Sequence, residues 1–458
     1  MKPPAPPFPD LDGWIEGQVL TAKRHLAGAL SRSDLVHHRP EFGQSVRPAR
    51  GSVLASPVFA HWDPEPDYFY HWSRDAAIVM AVVDDLAFEA EDADEAAGWA
   101  RAFADYVAFS AQSLRTDGRT VAPNPLRQTT RADCLRHLRP DAELAALVGA
   151  DALLAEPRCN PDGGPDLQNW GRPQFDGPAL RALTLLRHLA RVPGDAAALA
   201  LVRLDLAFTL AHADAPCLGP WEEEEFCRHY FTVLCQHAAL REGAACFAAR
   251  GETGLADDLR TGAAATLVGL EAHWDEANGV YRAFREFPAA SAAEAIDSSI
   301  LMAALAAGLG SDSGSGRHGL GDERLRATVA VIEATFLSLY PLNLALGPGE
   351  GPLIGRNVRD VYFGGNPWFP NSFALAEYHY ARAAAEPRTE IAAADLRRGD
   401  GVLAACRRFV PEDGALCEQI DRASGAPTSA RHLTWSYAAF LAAVRARARA
   451  RARVRLGA

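Results

Sequence analysis

A run of four glutamates, Glu222 to Glu225, follows a tryptophan near the middle of the chain. Carboxyl groups crowded together raise one another's pKa, and the adjacent Trp221 adds apolar surface. A raised pKa lets a carboxyl group act as a general acid near neutral pH. Four glutamates at a helix N-terminus would also be favoured by the helix dipole. The run by itself therefore leaves a catalytic and a structural interpretation open, with Glu223 as the second candidate after Glu222.

Aromatic and charged residues are concentrated in the segment 66–75, which reads PDYFYHWSRD. Aromatic faces can stack on the C–H surface of a sugar ring, while Arg74 and Asp75 can hydrogen-bond neighbouring hydroxyls. A capped helix with a structural ion pair is the alternative interpretation.

The segment 169–178, NWGRPQFDGP, resembles a helix start, with Asp176 as the cap and Pro178 in the first turn. Those roles leave Trp170, Arg172 and Gln174 unexplained.

Two later segments complete the set of candidate residues. One carries Arg356, Asp360 and Trp368, and the other is Cys417-Glu418-Gln419-Ile420-Asp421. Any one of these segments could be a solvated loop, but convergence of all five on one rim would be a binding site.

Twelve helical segments must position these residues. They are predicted at 12–31, 73–91, 93–115, 176–192, 195–213, 228–249, 252–275, 295–309, 322–340, 368–386, 389–409 and 431–450. The odd-numbered helices carry one apolar stripe, whereas the even-numbered ones are apolar nearly all round. A helix that is apolar all round must be buried on all sides. This alternation predicts an all-α fold, an (α/α)6 toroid of six inner and six outer helices, with the five segments gathered where the inner helices begin.

Composition excludes several functions. The net charge is −12, which argues against a nucleic-acid partner. No apolar stretch is long enough to predict a membrane span, and the first residues lack the apolar core of a signal peptide, so we expect a cytoplasmic protein. The eight cysteines are expected to be free thiols. The pairs Cys227/His229 and Cys235/His237 favour helix packing over a metal site, and we expect neither metal nor cofactor.

The chain is expected to comprise a proline-rich segment 1–11, a single catalytic domain 12–450 and a basic tail 451–458. Arginine at every second position from Arg445 predicts a fraying helical end rather than a buried stripe. No starch-binding module is recognised, and we expect a monomer or a weak oligomer.

Taken in order, the motifs resemble glycoside hydrolase family 15, the glucoamylases. The strings are GSVLASP, PDYFYHWSRD, WGRPQFDGPALRA, PWEE, YFTVLCQHAAL, GNPWF and CEQID with SARHLTWSYAA. The resemblance implies an (α/α)6 toroid and an inverting mechanism, in which the two carboxyl groups lie about 6.5–9.5 Å apart with a water between base and sugar. It implies that Glu222 is the general acid and Glu418 the general base.

The resemblance also implies substrate contacts. Arg74, Asp75 and Arg356 would clamp the terminal glucose, Tyr68, Trp72 and Trp170 would form aromatic walls beside it, and Trp221, Glu223, Asp360 and Trp368 would contact the neighbouring sugar or the clamp. The sequence departs from the family pattern at Gly219-Pro220, at His71, at Cys417 and by one extra residue after Glu223.

The predicted function is exo-hydrolysis of α-1,4-linked glucose from the non-reducing ends of maltooligosaccharides. Isomaltose, dextran ends or trehalose remain alternative substrates, because linkage is selected by the loops around the second sugar. A non-catalytic toroid that binds glucan as a regulatory module is the alternative of another class. Retention of both Glu222 and Glu418 favours an enzyme.

Overall fold

A computed structural model describes residues 10–62, 64–223, 226–287, 289–309 and 317–456. Twelve helices of nine or more residues hold about half of these residues, and we number them α1 to α12. They are α1 Leu11–Ala27, α2 Ser73–Glu89, α3 Ala93–Ser113, α4 Asp176–Arg191, α5 Ala196–Ala211, α6 Tyr230–Ala249, α7 Thr253–Glu271, α8 Ser299–Ala307, α9 Glu323–Leu339, α10 Phe369–Ala385, α11 Thr389–Arg407 and α12 Thr434–Leu456. All twelve predicted helices are present, and most of their ends agree within a few residues.

The remaining elements of the described chain are short. One-turn α-helices occur at Asp141–Ala145, Ala150–Leu154, Ala292–Ala295 and Pro341–Leu344, and 3₁₀ turns at Gly118–Val121, Pro125–Gln128, Ala132–His137 and Tyr362–Gly364. The described residues also form four antiparallel pairs of two- or three-residue strands: His37–Arg39 with Gln44–Val46, His71–Trp72 with Arg158–Cys159, Trp274–Asp275 with Val280–Tyr281, and Gln419–Ile420 with Pro427–Thr428.

Burial alternates along the chain as predicted. Helix α4 buries side chains on every face, from Asp176 to Leu189, whereas α3 buries one stripe that includes Trp99, Phe103, Tyr106 and Ser110. Helices α6 and α10 resemble α4, and α9 resembles α3. A helix buried all round must be enclosed by others, so the alternation distinguishes inner from outer helices.

The chain divides into two compact units. One comprises Gly28–Leu270, and the other the described residues up to Ala27 together with those from Glu271 onward. In the first unit α4 packs on α2, α5 and α6. In the second, α10 packs on α8, α11 and α12, and α12 also contacts α1.

The predicted fraying end is wrong. Helix α12 continues to Leu456, so the segment 451–458, predicted as a tail, is helical as far as this residue; residues 457–458, like 1–9, lie outside the described chain. Alternation of alanine with arginine places Ala446 and Ala450 four residues apart on one buried face. Arg447 is also buried, and its Nε donates to Asp400 Oδ1 at 2.7 Å.

None of the helices in the described part of the chain is both long and apolar enough to cross a membrane.

Candidate active site

Trp72 is fixed by a short strand at the start of α2. The His71–Trp72 strand pairs with Arg158–Cys159, and the Ser73 N–H donates to the Pro157 carbonyl at 2.9 Å. Trp72 occupies the N-cap position but makes no side-chain cap. The segment 66–75 is therefore not a simple capped helix start, and its side chains are available for other contacts.

Arg74 and the adjacent carboxylates form a buried ionic group. The Arg74 guanidinium lies 3.5 Å from Asp75, 3.1 Å from Asp176 and 3.4 Å from Glu222. Its Nη1 also donates to Gln174 Oε1 at 2.8 Å. One cation thus serves three carboxylates, and a charge that is not fully balanced is costly when buried.

Burial raises the pKa of the Asp75 carboxyl to about 6. Arg74 opposes this rise, whereas Glu222 and Asp176 add to it through repulsion. The Asp75 carboxyl therefore titrates above the ordinary range of an aspartate.

Glu222 accepts hydrogen bonds at both carboxyl oxygens. The Trp170 indole Nε1 donates to Oε2 at 2.6 Å, and the Trp72 indole Nε1 donates to Oε1 at 2.8 Å. Oε1 also accepts from Gln174 Nε2 at 3.1 Å and from Arg74 Nη2 at 3.4 Å. Four donors from two distant segments therefore fix the direction of this carboxyl group, while 13% of its side chain remains exposed.

The loop that carries Glu222 is closed at its base by Cys217 and Cys227, which exchange backbone hydrogen bonds of 3.0 and 3.1 Å. Within it the Glu222 N–H donates to the Gly219 carbonyl, and Glu222 itself has a φ of 62°. A Cβ at Gly219 would lie 2.3 Å from the His229 ring, so only glycine fits there. The departure Gly219-Pro220 is thus part of the turn that presents Glu222.

Trp221 and Glu223 flank Glu222 in this loop and are half-buried, while Glu224 and Glu225 lie outside the described residues. The expectation that four clustered glutamates raise one another's pKa is therefore untested.

Three aromatic rings form a wall beside Glu222. The centroid of Tyr68 lies 5.2 Å from that of Trp72, and Trp72 lies 5.8 Å from Trp170. The predicted walls of the first sugar site are thus brought together.

Arg158 supports this wall, and no sequence motif singled it out. Its guanidinium carbon lies 3.7 Å from the ring centroid of Trp170, 4.0 Å from Tyr70 and 4.8 Å from Trp72. Its Nε donates to Asp166 at 2.8 Å, and both side chains are fully buried. Because Trp170 and Trp72 in turn bind Glu222, Arg158 lies directly behind the residues that hold that carboxyl group.

Asp176 does not cap its helix. Helix α4 begins at Asp176, and the preceding Phe175 makes no side-chain cap. The Asp176 carboxylate instead accepts from Arg74, and Gln174 bridges Arg74 and Glu222. These contacts account for Gln174, which the capping interpretation left unexplained. Arg172 serves a structural network, since its Nε donates to Glu156 at 3.2 Å.

In the second unit Arg356, Asp360 and Trp368 come together. The Arg356 guanidinium makes two hydrogen bonds to the Asp360 carboxylate, one of them at 3.0 Å, and its carbon lies 5.2 Å from the Trp368 ring centroid. The Arg356 carbonyl also accepts from the Ser298 N–H at 2.9 Å. All three side chains are buried, so their positions are defined by packing.

Glu418 is held mainly by backbone. Its N–H donates to the Ala430 carbonyl at 2.8 Å, and its own carbonyl accepts from the Phe369 N–H at 3.0 Å. Its carboxylate accepts from the Ser429 hydroxyl and, at 3.4 Å, from the Gln419 amide. Only 3% of Glu418 is exposed. Ser429 is the first residue of the string SARHLTWSYAA, and sequence reasoning gave it no role.

Two departures from the family pattern have structural explanations. Buried His71 accepts from the Val53 N–H at 3.0 Å, and burial lowers its pKa to about 3, so it is neutral. The Cys417 thiol donates to the Gln419 carbonyl at 2.7 Å, and burial raises its pKa to about 12.

All eight cysteines are free thiols, as expected. His229 Nε2 lies 3.2 Å from the Cys217 carbonyl and His237 Nδ1 lies 2.9 Å from the Ala263 carbonyl, so both rings contact backbone. Within the described ranges no three His, Cys, Asp or Glu side chains are grouped as a metal ion would require.

Comparison with known proteins agrees with this geometry. The model of the glycosyl hydrolases family 15 matches residues 40–445. Glucoamylase-1 of Schizophyllum commune is 29% identical over 449 residues, covering 89% of this chain and 70% of that protein. Glucoamylase of Neurospora crassa is 27% identical, covering 94% of this chain and 68% of that protein.

Solved structures give the same result. The family 15 glucoamylase from Hypocrea jecorina has a TM-score of 0.76 and 28% identity, covering 95% of this chain and 72% of that chain. The glucoamylase from Saccharomycopsis fibuligera, at 24% identity, supports the fold alone, with a TM-score of 0.78 and coverage of 97% of this chain and 96% of that chain. The predicted all-α (α/α)6 fold class is confirmed. The chain belongs to glycosyl hydrolase family 15 and is a glycoside hydrolase of the glucoamylase type.

Proposed function

We propose that this enzyme releases glucose from the non-reducing ends of α-1,4-linked maltooligosaccharides, with inversion at the anomeric carbon. The observation that carries the proposal is the carboxyl group of Glu222, held at both oxygens by Trp72, Trp170, Gln174 and Arg74 beside an aromatic wall. A carboxyl group of fixed direction next to ring-stacking surfaces suits protonation of a glycosidic oxygen.

Glu222 is the acid in the proposed mechanism. Its carboxyl proton passes to the glycosidic oxygen as the bond from that oxygen to C1 breaks, and the leaving sugar departs as a free alcohol. Glu418 accepts a proton from a water molecule whose oxygen bonds to C1 from the opposite face. The product is β-glucose. The two glutamates have then exchanged protonation states, and proton exchange with solvent restores them.

Binding of the terminal glucose is assigned to charged and aromatic groups. Arg74, Asp75 and Arg356 would bind its hydroxyl groups, and Tyr68, Trp72 and Trp170 would contact its ring. Asp360, bound to Arg356, keeps that guanidinium in place. Trp221, Glu223 and Trp368 are assigned to the neighbouring sugar.

The experiment that tests this function is hydrolysis of a panel of α-linked disaccharides and of maltotriose, with the anomer of the released glucose followed by NMR. We expect β-glucose from maltose and maltotriose, and slower release from isomaltose and trehalose. Absence of glucose from both maltose and maltotriose would refute the proposal. A dead glucan-binding module would bind maltotriose without cleaving it.

The cytoplasmic location and the monomeric or weakly oligomeric state stay predictions. Cell fractionation and light scattering on the purified protein would test them.

A further inference from the structure

His229 lies where the loop of the proposed acid joins α6. It is the N-cap residue of this helix, and its carbonyl accepts from the Val233 N–H at 3.0 Å. Helix α6 buries side chains on every face, so it is a firmly packed base for that residue. The buried His229 ring makes no cap on the helix. Its contacts are with the loop instead.

The His229 imidazole holds the loop at its base. Its Nε2 lies 3.2 Å from the Cys217 carbonyl oxygen, and because a carbonyl can only accept, this nitrogen carries a proton and donates it. The Cys227 sulfur lies 3.4 Å from the same nitrogen. Cys217 and Cys227 are the residues whose backbone hydrogen bonds close the loop, and both are buried. The imidazole thus joins the helix to the closing pair in a place screened from water.

The same ring lies against the turn that presents Glu222. A Cβ on Gly219 would lie 2.3 Å from Cε1 and Nδ1 of His229, so the glycine backbone and the ring are in close contact. The Gly219 carbonyl in turn accepts from the Glu222 N–H at 3.1 Å. Glu222 has a φ of 62°, and a left-handed residue of this kind persists only where its surroundings hold it. Contacts therefore run from α6 through His229 and Gly219 to the proposed acid.

We propose that His229 is a positioning residue for proton donation, which sets where the Glu222 carboxyl group lies relative to the glycosidic oxygen. This proposal rests on the proposed function, in which Glu222 gives its proton to that oxygen. Side chains from the segments 72–74 and 170–174 fix the direction of the carboxyl group. His229 fixes the backbone from which the group extends. A shift of about 1 Å in a reacting group can cost about a hundredfold in rate, so this hold matters for catalysis although His229 does not touch the carboxyl group.

The proposed role is confined to the step that needs the acid. Fluoride leaves from α-glucosyl fluoride without a proton, so this substrate reports on the rest of the site. Loss of the His229 contact should therefore lower the rate on maltose and spare the rate on α-glucosyl fluoride. A defect in folding or in binding of the terminal glucose would lower both rates.

The test compares the two substrates in His229→Phe and His229→Gln. His229→Phe keeps a ring beside Gly219 but removes the donor to Cys217, so kcat should fall about tenfold for maltose and less than about twofold for α-glucosyl fluoride. His229→Gln places an amide N–H near the position of Nε2 and should restore most of the maltose rate.

The matched control is His237→Phe. His237 lies on the same helix, is similarly buried, and also contacts a backbone carbonyl, with its Nδ1 2.9 Å from the oxygen of Ala263. Both rates should be unchanged in this variant. A maltose rate in His229→Phe within about twofold of the unaltered enzyme would overturn the proposal. An equal loss on both substrates, or the same selective loss in His237→Phe, would overturn it as well.

Hydrogen exchange separates this proposal from the proposed function. If the unaltered enzyme cleaves neither maltose nor α-glucosyl fluoride, the proposed function fails by itself. The hold of His229 on the loop is then judged by exchange of the Glu222 amide, which should be faster in His229→Phe than in His237→Phe. Equal exchange in the two variants would overturn the positioning role.

Discussion

The two proposed catalytic glutamates are held by different kinds of contact. Glu222 lies in a loop, in left-handed backbone, and its carboxyl group depends on side chains from the segments 72–74 and 170–174. Glu418 has backbone hydrogen bonds on both sides, to Ala430 and from Phe369, and its carboxylate contacts Ser429 and Gln419 nearby.

Charge is concentrated around Glu222. The carboxylates of Asp75, Asp176 and Glu222 share the Arg74 guanidinium. The Ser429 hydroxyl and the Gln419 amide, which donate to the Glu418 carboxylate, are neutral. We therefore expect the Glu222 region to be sensitive to pH and to substitution of the residues that hold its carboxyl group.

The largest effect is expected for Glu418→Gln. The amide cannot accept a proton from water, so kcat for maltose should fall by about 10⁴, the upper end of what a general base contributes. Because Gln has nearly the same shape, calorimetry should show that the variant still binds maltose. Turnover within tenfold of the unaltered enzyme would exclude Glu418 as the base.

The loss of activity in Glu222→Gln should depend on the leaving group of the substrate. Hydrolysis of maltose should fall by about 10²–10³, since an alcohol leaves poorly without a proton. Fluoride needs no proton to leave, so α-glucosyl fluoride should recover most of the rate in Glu222→Gln and none in Glu418→Gln. Rates on the two substrates, measured for both variants, separate acid from base.

Glu223→Gln is the control for the assignment within the glutamate run. It should alter KM for maltose more than kcat. Rescue by α-glucosyl fluoride in Glu223→Gln instead of Glu222→Gln would move the acid to Glu223.

Arg158 offers a smaller test of the dependence of Glu222 on its neighbours. Arg158→Met removes the cation stacked on Trp170 and Trp72, and kcat for maltose should fall about tenfold as the indoles lose support. Arg158→Lys keeps the charge without the planar stack and should recover only part of the rate. A merely structural role would lower the melting temperature without altering the pH profile of kcat, whereas a positioning role should alter both.

The matched control for Arg158 is Arg203→Met. Arg203 also stacks on an aromatic ring, with its guanidinium carbon 4.6 Å from the Phe247 centroid, and it also pairs with a carboxylate, Glu252. It lies on α5, and its removal should leave kcat unchanged.

The fold was predictable from the pattern of apolar residues in its helices. A helix buried on all sides is apolar nearly all round, whereas a helix buried on one side carries a single apolar stripe. Residues 176–191 and 93–113 illustrate this, since each has the burial that its composition predicted. The end of α12 was mispredicted because arginine at every second position concealed a buried stripe of alanines.

The candidate site was predictable where motifs carried it, as for Trp72, Trp170 and Glu418. Arg158 was not predictable, because it acts through contacts with residues far away in sequence, such as Trp170. Ser429 was not predictable, because a serine hydroxyl is common in loops and its contact with Glu418 leaves no sequence pattern. Asp176 shows the opposite error. The local sequence predicted that Asp176 caps its helix. In the structure its carboxylate instead accepts a hydrogen bond from Arg74.

The clearest effect on the pH dependence of stability is expected for Asp75→Asn. An unfolded chain loses the Asp75 proton near the ordinary pKa of 3.8, whereas the folded protein keeps it to about pH 6. Between these values the folded state binds more protons, so the free energy of unfolding of the unaltered enzyme falls as pH rises, by at most about 3 kcal/mol from this group. Asparagine does not titrate, so the variant should show a flatter curve from pH 4 to 6 in chemical denaturation.

Asp34→Asn is the control for this pH window. Arg32 lowers the pKa of exposed Asp34 to about 2, so its titration affects stability only below about pH 4 and should leave the slope between pH 4 and 6 unchanged. Identical slopes for Asp75→Asn and the unaltered enzyme would mean that burial does not raise the pKa of the Asp75 carboxyl. The pH sensitivity expected of the Glu222 region would then fail.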